Sequence, residues 1–371
     1  MKKALLAVVA LSCIAVLFAS CGDSKNDAGP PPSQTFNLAF LEQKPNSTLV
    51  YPVLADLAGS KFTTYRIEDP STGEQVSAAM GSIILNNSHN KAVFEVFGGT
   101  VEGASTNQWD IYVGTIDGVN LTQITNDTYQ DYVPQFNPAG TKVVYSSERP
   151  VGSKHWSTVV RNADGTGEQV LPQPFNAYWS WHPSFSPDGA KIALEAYGIT
   201  EGRGFDGIVL MNADGSDPVL LTNPYGTDCW CWDEDPYFTP DGTQIVFSRE
   251  SEDTLTEDVY IMNIDGTGVT NLTDGVGYNE DPLIVKDSIT GAPRIVFSSN
   301  RDNSTTGLAG FELFVMNLDA SGLTRLTYND VFDGFYQGYL EEESVSAMSR
   351  TQRKHEVRSR RMTQPEHRLH W

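Results

Sequence analysis

Short apolar segments separated by turn sequences recur along this chain at intervals of about fifty residues. An apolar strand precedes an Asp-Gly-type turn in each copy, and a second strand follows it, usually ending in Leu-Thr or Ile-Thr. Successive turn aspartates lie 47, 50, 51 and 54 residues apart. No helical periodicity accompanies the repeat, so the pattern predicts an all-β chain. The turn aspartates are Asp117, Asp164, Asp214, Asp265 and Asp319.

A second series of turns alternates with the first. Its members are Asn137–Gly140, Ser186–Gly189 and Thr239–Gly242, with a weaker copy at Ile289–Ala292. Proline presets the backbone at the second position of such a turn and glycine closes it, so each copy predicts a hairpin followed by another strand. Four short strands for every fifty residues are typical of one propeller blade.

The number of repeats predicts how the ring is built. Three segments near the start of the chain predict strands two to four of a first blade that lacks its own first strand. They are Phe36–Leu41, Leu49–Leu54 and Lys61–Ile67. Because an open edge must be covered, we expect Phe335–Leu340 to supply that strand and close the ring. The sequence therefore predicts an all-β propeller of six four-stranded blades over residues 36–340, with seven blades as the alternative.

The N-terminus has the pattern of an export signal. A charged start, Met1–Lys3, precedes an apolar run over residues 4–18 that is too short for a comfortable membrane span. We expect residues 1–20 to be a signal peptide. Cys21 follows a stretch that resembles the bacterial lipobox, which implies a lipid anchor on a flexible tether over residues 21–35. The alternative is a free cysteine near an ordinary cleavage site. Either way the pattern predicts an exported protein, and with the lipid anchor it predicts a lipoprotein facing the periplasm or the cell surface.

Charge divides the chain into an acidic body and a basic tail. Residues 350–371 hold seven Lys or Arg against two Glu, which leaves the preceding body with 18 basic and 45 acidic residues, a net charge of −27. A body this acidic argues against nucleic acid or anionic lipid as a partner. Residues 341–371 lack the turn-and-strand pattern, so we interpret them as a disordered or non-native tail.

Two cysteines lie within the repeats. Cys229 and Cys231 flank Trp230. A free pair, a strained and redox-labile disulfide, and a weak metal site all remain open at this stage.

One segment carries a family resemblance. Residues Asp235 to Arg249, which read DPYFTPDGTQIVFSR, resemble the WD40-like repeat of TolB-type propellers, and related patterns cover about residues 82–327. The resemblance implies a propeller fold. It implies no particular function, because this repeat serves many unrelated proteins.

Up-and-down blades distribute their connections between two faces of the disc. The first and third turns of every blade share one face, here called the turn face, and we interpret their aspartates as turn-forming residues. The second turns and the links between blades form the opposite, loop face, which is rich in aromatic and acidic residues. Loops on a rigid scaffold often carry function. The candidate ligand-binding residues there are Tyr132, Trp156, Tyr178, Trp179, Trp181, His182, Trp230, Trp232, Asp233, Tyr278 and Glu280. The alternative is that these rings wedge between blades as local core.

These features favour a binding or scaffolding module over an enzyme. We expect a monomer that binds a protein or glycan of the cell envelope on the loop face. The sequence contains no Gly-x-Ser-x-Gly elbow of a serine hydrolase. The enzymatic alternative is a TolB-like, metal-dependent carbohydrate lyase, which needs a histidine cluster; His155 and His182 come from adjacent blades on the loop face.

No cofactor is expected, apart from a possible calcium ion. Asp235-Pro236 and Asp281-Pro282 begin the first strands of their blades. We expect these aspartates to bond neighbouring backbone N–H groups. They also leave calcium open, because calcium prefers clustered oxygen ligands.

Overall fold

The structure is a computed structural model that describes most of the repeat region. The described residues are 38–43, 50–55, 63–64, 79–86, 88, 90–97, 108–115, 121–149, 152, 155–200, 203–224, 231–251, 253–287, 290–301 and 311–326. The signal peptide, the lipid attachment site, the tether, the closing segment and the basic tail were all predicted outside these ranges. Within the ranges, no helix is long and apolar enough to cross a membrane.

Five four-stranded antiparallel sheets make up most of the described chain, and the strands of each sheet follow one another in sequence order. The first sheet has β4 (Ala79–Leu85), β5 (Lys91–Phe97), β6 (Trp109–Thr115) and β7 (Leu121–Gln123). The second has β8 (Asp131–Phe136), β9 (Lys142–Glu148), β10 (Trp156–Asn162) and β11 (Gln169–Val170). The third has β12 (Trp179–Phe185), β13 (Lys191–Thr200), β14 (Arg203–Asn212) and β15 (Val219–Leu220). The fourth has β16 (Cys231–Phe238), β17 (Gln244–Ser251), β18 (Thr256–Asn263) and β19 (Thr270–Asn271). The fifth has β20 (Asn279–Lys286), β21 (Pro293–Ser299), β22 (Glu312–Asn317) and β23 (Thr324–Arg325).

A three-stranded sheet precedes these five. It contains β1 (Leu38–Gln43), β2 (Val50–Ala55) and β3 (Thr63–Thr64), close to the three strands predicted for the first blade. The propeller class and the four-stranded blade are therefore confirmed. The described residues hold five complete blades rather than the six predicted. The strand expected to complete the incomplete blade, Phe335–Leu340, lies outside the described residues.

Aspartates hold the third turn in the four complete blades where the structure describes that turn. Asp265 accepts hydrogen bonds from the backbone N–H of Thr267 (3.0 Å) and from its hydroxyl (2.6 Å), and the next residue, Gly266, has φ of 82°. These bonds to the ionised form hold the pKa of Asp265 below its usual range. Equivalent bonds occur at Asp164 and Asp319. The interpretation as turn-forming residues is confirmed for the four aspartates 164, 214, 265 and 319, and Asp117 lies outside the described residues.

The Leu-Thr pattern at the end of the fourth strand also has a structural explanation. The Thr273 hydroxyl accepts a hydrogen bond from Val259 N (3.1 Å) and donates one to the Asp258 carboxylate (2.7 Å). Thr222 accepts in the same way from Ile208 N (3.0 Å). This bond adds a link between the third and fourth strands, whose backbone pairing is only two residues long.

The core lies between neighbouring blades rather than within one. One buried cluster contains Val246 and Ile261 of the fourth complete blade together with Ile284, Phe297 and Phe314 of the fifth. Each sheet therefore buries its apolar side chains against the next sheet. This packing leaves the edges of the first strands to line the centre of the disc.

Candidate functional site

A β-bulge interrupts the first strand of every complete blade. The pairing register shifts between Tyr132 and Gln135 in β8, and at the equivalent place in β4, β12, β16 and β20. In four of these strands the first residue of the bulge lines the centre of the propeller, and we call this set the ring. The ring residues are Val133, His182, Asp235 and Asp281; in β4 the second residue of the bulge, Ser82, lines the same cavity.

The ring backbone is held in a conformation that its residues rarely adopt. Val133, His182, Asp235 and Asp281 have φ of 48°, 44°, 53° and 53°, and a proline follows each. Positive φ is unfavourable for a β-branched residue such as Val133, and residues before proline ordinarily prefer extended conformations. Such strain persists only where the surrounding structure imposes it, and it clusters at functional sites.

The ring surrounds a cavity on the axis of the propeller. The cavity encloses about 530 Å³, including the part open to solvent. Its remaining wall contains the prolines of the bulges and the side chains of Ile84, Gln135, Tyr237 and Leu283. Because these four residues follow the ring along strands that run from the loop face towards the turn face, the cavity extends from the ring towards the turn face.

His182 links two neighbouring blades within the ring. Its Nδ1 lies 2.7 Å from Asp235 Oδ1 in the next blade and 3.5 Å from Glu195 Oε2 in its own. The Ser248 hydroxyl donates a hydrogen bond to the other oxygen of Asp235 (3.2 Å). Burial lowers the pKa of His182, but the two carboxylates outweigh that effect and raise it to about 10. The ring therefore contains a protonated imidazole at neutral pH.

Glu95 is the fifth residue of β5, and Glu195 has the same position in β13. Oε2 of Glu95 accepts a hydrogen bond from the backbone N–H of Val133 in the next blade (2.8 Å). Complete burial raises the pKa of Glu95 to about 8, although this hydrogen bond and the charge of His182 act in the opposite direction. Glu95 is therefore largely protonated at neutral pH, and it supports the strained backbone of the ring.

An acidic group adjoins the ring at β16. One carboxylate oxygen from each of Glu234, Asp235 and Glu257 lies within 4.8 Å of the others, in a buried or nearly buried setting. An all-oxygen group of this kind suits calcium better than a transition metal. The sequence pointed to Asp235 and Asp281 as possible calcium ligands; Asp281 does not belong to this group.

Half of the predicted aromatic residues of the loop face pack against one another. Trp109, Tyr132, Trp156 and Trp179 form one cluster between three blades, with exposures of 4 to 8%, and Trp181 packs on it. The rings of Trp156 and Trp181 lie 4.4 Å apart, edge to face, and those of Tyr132 and Trp181 lie 5.6 Å apart. These rings wedge between blades, which was the alternative interpretation of the sequence. Trp179 and Trp181 stand two residues apart in β12, so their side chains share one face of the strand and both contribute to this cluster.

The other predicted site residues divide between buried and accessible positions. Asp233 is fully buried and binds the Arg249 guanidinium through both oxygens (2.5 and 2.8 Å). Trp232 and Glu280 are also buried, whereas Tyr178 is 45% exposed. The remaining two are Tyr278, which is partly exposed, and Trp230, which lies outside the described residues.

The state of Cys231, left open by the sequence, is a disulfide bond. No other cysteine falls within the described residues.

Sequence reasoning missed Glu95 and Glu195. Both stand at the fifth position of a second strand, after Lys91 and Lys191 and three apolar residues. A glutamate inside so apolar a strand is a signal for a buried, partnered carboxylate, because an unpaired one is too costly to bury. The partner could not be recognised, since Val133 N belongs to a different blade.

The fold and the ring define a β-propeller of four-stranded blades whose central cavity has a largely apolar wall with charged groups at the ring. No protein-family model matches the chain. The structure is similar to that of a protein assigned as TolB from Agrobacterium tumefaciens, at 17% identity and a TM-score of 0.52, covering 72% of this chain and 84% of that one. The expected likeness to TolB-type propellers is thus confirmed at the level of fold.

Two enzymes contain similar folds. Hydrazine synthase from Kuenenia stuttgartiensis matches at 14% identity and a TM-score of 0.55, over 76% of this chain and 41% of that one. Oligogalacturonate lyase from Vibrio parahaemolyticus matches at 13% identity and a TM-score of 0.50, over 81% and 78%. At such identities the likeness establishes the fold alone.

One curated relative matches in sequence. It is the uncharacterized protein Atu1656 of Agrobacterium fabrum (strain C58), which is 26% identical over 145 residues. The match covers 38% of this chain and spans about half the length of that relative, 47%.

Proposed function

We propose that this chain is an exported binding or scaffolding propeller that holds a partner at its central cavity and on its loop face. The observation that supports this most is the ring, where strained backbone, a nearly buried ion pair and a cavity coincide. Export rests on the N-terminal pattern, with Cys21 as the lipid attachment site.

We propose a protein segment, rather than a charged glycan, as the partner. The body carries a net charge of −27, and the cavity wall includes Asp235 and Asp281. Such a field attracts lysine or arginine side chains and repels acidic sugars. Tyr178, at 45% exposed, offers an aromatic contact on the loop face beyond the cavity.

Calcium is proposed only at the group Glu234, Asp235 and Glu257. If the ion binds there, its charge offsets the mutual repulsion of three closely spaced carboxylates. Calcium should then raise the melting temperature of the full chain, and Glu257→Gln should remove that increase. An equal shift in wild type and variant would exclude this group as the site.

The second candidate function is a carbohydrate lyase. It is favoured by His182 in the ring and by the fold shared with oligogalacturonate lyase. The described residues fit a histidine-rich metal site poorly. His182 already contacts Asp235, and His155 Nδ1 lies 2.9 Å from the carbonyl oxygen of Tyr178. Incubation with oligogalacturonate and divalent metal should leave the substrate intact; formation of unsaturated product that disappears in His182→Ala would favour the enzyme.

Site-specific photo-crosslinking in the native envelope tests the binding proposal. A photoreactive residue is placed at Gln135 in the cavity, at Tyr178 on the loop face, and at Asp214 on the turn face as the control. We expect a discrete adduct from Gln135 or Tyr178 and none from Asp214. No adduct at either test position, or the same adduct at all three, would contradict a partner at this site. Mass spectrometry of the adduct distinguishes a protein from a glycan.

A further inference from the structure

We infer that Arg149 is a proton-controlled switch on the loop face: it covers the ring of Tyr129 while the Asp131 carboxyl is protonated, and it turns inward to Asp131 once that group ionises. The inference rests on the proposed function in one respect, because the aromatic ring that the switch uncovers lies on the face proposed to bind a partner.

Arg149 follows β9 directly, and its guanidinium binds groups at the surface. Its Nε donates a hydrogen bond to the Ser147 hydroxyl (2.9 Å), and its two terminal nitrogens donate to the exposed carboxylate of Glu168 (2.9 and 3.2 Å). The guanidinium carbon lies 4.3 Å from the centre of the Tyr129 ring. Exposed ion pairs and exposed cation–π contacts contribute little free energy, so this position of the guanidinium is weakly held.

Asp131, the first residue of β8, pairs with the same serine across the two strands. It is fully buried, and neither carboxylate oxygen makes a hydrogen bond to another described residue. Burial and the charge of Asp127 raise the pKa of Asp131 to about 7, although the nearby hydroxyls of Ser147 and Thr125 and the charge of Arg149 act in the opposite direction. The carboxyl is therefore neutral below this pH and becomes a buried charge above it.

The fifth complete blade shows that an arginine in this place can reach the first strand. Asn279 stands two residues before the ring residue, as Asp131 does, and it pairs with Ser299. Arg301 follows that serine by two residues, just as Arg149 follows its own. Nε of Arg301 donates to the serine hydroxyl (3.3 Å), and its Nη2 donates to Oδ1 of Asn279 (2.8 Å). The same side-chain path would carry the guanidinium of Arg149 to the Asp131 carboxylate.

The fourth complete blade places a guanidinium beside the same strand position from a different point in the sequence. Asp233 also stands two residues before the ring residue, and Arg249 binds it through both oxygens (2.5 and 2.8 Å). That guanidinium covers the ring of Tyr260 at 4.8 Å. Two blades thus place a guanidinium where the second blade has the buried carboxyl of Asp131 and an arginine that binds elsewhere.

The other charged and titratable groups near Asp131 come from several elements. They are Asp110 of β6, Asp127 of the link before β8, Tyr145 of β9, Arg161 of β10 and Glu168 before β11, with Glu148 on the opposite face of β9 and Glu95 and His182 at the ring. Arg161 already binds Glu168 and donates to the carbonyl oxygen of Ile124. Arg149 is therefore the arginine that can move to Asp131.

The pH at which the switch moves follows from the two positions. A neutral Asp131 carboxyl competes poorly with the Glu168 carboxylate, so Arg149 stays over Tyr129 at low pH. An ionised and buried Asp131 gains more from a guanidinium than an exposed ion pair loses. Arg149 therefore turns inward as the pH rises through the pKa of Asp131, and one face of the Tyr129 ring becomes accessible.

Radical footprinting of the full chain tests the switch. Hydroxyl radicals oxidise accessible tyrosine rings, and mass spectrometry gives the oxidation of Tyr129 relative to that of Tyr178, an internal reference that is 45% exposed. We expect this ratio to rise between pH 5 and pH 9. A ratio that stays constant over this range would overturn the inference.

Two variants hold the switch in one position. Asp131→Asn cannot ionise, so the Tyr129 ratio should be the same at both pH values. Arg149→Gln removes the cover, so the ratio should equal the high-pH value of the wild type throughout. Asp110→Asn is the matched control, because burial raises the pKa of this neighbouring carboxyl to about 6, and it should keep the wild-type rise.

Either variant can contradict the inference. A wild-type rise in Asp131→Asn would show that another group titrates, and a ratio that still rises with pH in Arg149→Gln would show that Arg149 is not the cover. The second variant changes a residue at the surface end of β9, so it remains decisive even if Asp131→Asn fails to fold.

These measurements involve no partner. A switch that behaves as described, without an adduct from Gln135 or Tyr178, would refute the binding proposal alone. An adduct from a chain whose Tyr129 ratio is independent of pH would refute the switch alone.

Discussion

His182 and Asp235 join two neighbouring blades through an ion pair at the centre of the propeller, with Nδ1 and Oδ1 2.7 Å apart. The side chains are only 14% and 10% exposed, so neither charge is well solvated by water. A pair in such surroundings is costly to break from one side, because the remaining charge stays buried without its partner.

We expect His182→Ala to lower the free energy of unfolding by about 3–5 kcal/mol, since it leaves the carboxylates of Asp235 and Glu195 buried without their cation. Asp235→Ala should have an effect of similar size. The double variant should lose less than the sum of the two, as measured by denaturant unfolding. His155→Ala, at an exposed histidine, is the control and should change stability by no more than about 0.5 kcal/mol. Additive single effects would show that the pair is not coupled.

Stability should fall as pH rises from 5 to 9. The pKa values of Glu95, Asp131 and Asp110 are raised by burial to about 8, 7 and 6, and that of His182 is raised to about 10 by Asp235 and Glu195 despite its burial. The folded state thus binds protons that the unfolded state has released. The stability that each group adds is complete at pH values below its pKa in the unfolded state. It is lost as the pH rises through the pKa of the same group in the folded state. Each group contributes up to about 1.4 kcal/mol for every pH unit within its window.

Thermal unfolding across this pH range measures the effect. Glu95→Gln should flatten the profile between pH 5 and 8, because glutamine can still accept the hydrogen bond from Val133 N without titrating. Glu168→Gln, at an exposed glutamate that pairs with Arg149, is the matched control and should leave the profile parallel to wild type. A melting temperature that increases from pH 5 to 8 would contradict the buried, protonated state of Glu95.

The aromatic residues of the loop face should separate into two groups on mutation. Trp156→Ala and Trp179→Ala should each lower the free energy of unfolding by about 3–5 kcal/mol, because both rings are buried between blades. Tyr178→Ala should cost much less, since that ring is 45% exposed, and it should weaken the photo-crosslink from Gln135 if Tyr178 contributes to binding. Equal melting temperatures for the three variants would show that the tryptophans are not core.

Gly207 should be intolerant of any side chain. A Cβ atom there would clash with the carbonyl oxygen of Thr222, a residue just beyond β15 whose hydroxyl accepts a hydrogen bond from Ile208 N. Gly207→Ala should therefore destabilise the protein by about 1–3 kcal/mol or more. Gly152→Ala is the control, because its φ is 73° but no atom lies within 4 Å of its Cβ position. It carries the backbone cost alone, about 1 kcal/mol. Equal losses from the two variants would contradict the close approach at Gly207.

Local chemistry was sufficient to predict much of the fold. The turn at Asp265-Gly266 and the strands on either side of it follow from bonds between residues a few positions apart, so the repeat could be read directly. The same is true of the three strands of the first blade, which begin and end within a few residues of their predicted bounds. The number of complete blades was different, because closing a ring depends on contacts between distant parts of the chain.

The site was predicted only in part. The sequence placed His182 on the loop face and the aspartates 235 and 281 at the start of first strands, and the structure brings all three into the ring. The sequence by itself determined which residues form turns and strands, since those are local properties of the backbone. Only the tertiary structure decided that Trp156 is buried, that Glu95 supports Val133 from the neighbouring blade, and that His182 meets Asp235. Each of these contacts joins two blades. Glu95 and Val133 lie 38 residues apart in the chain and His182 and Asp235 lie 53 apart, so only the packing of one sheet on the next brings them together.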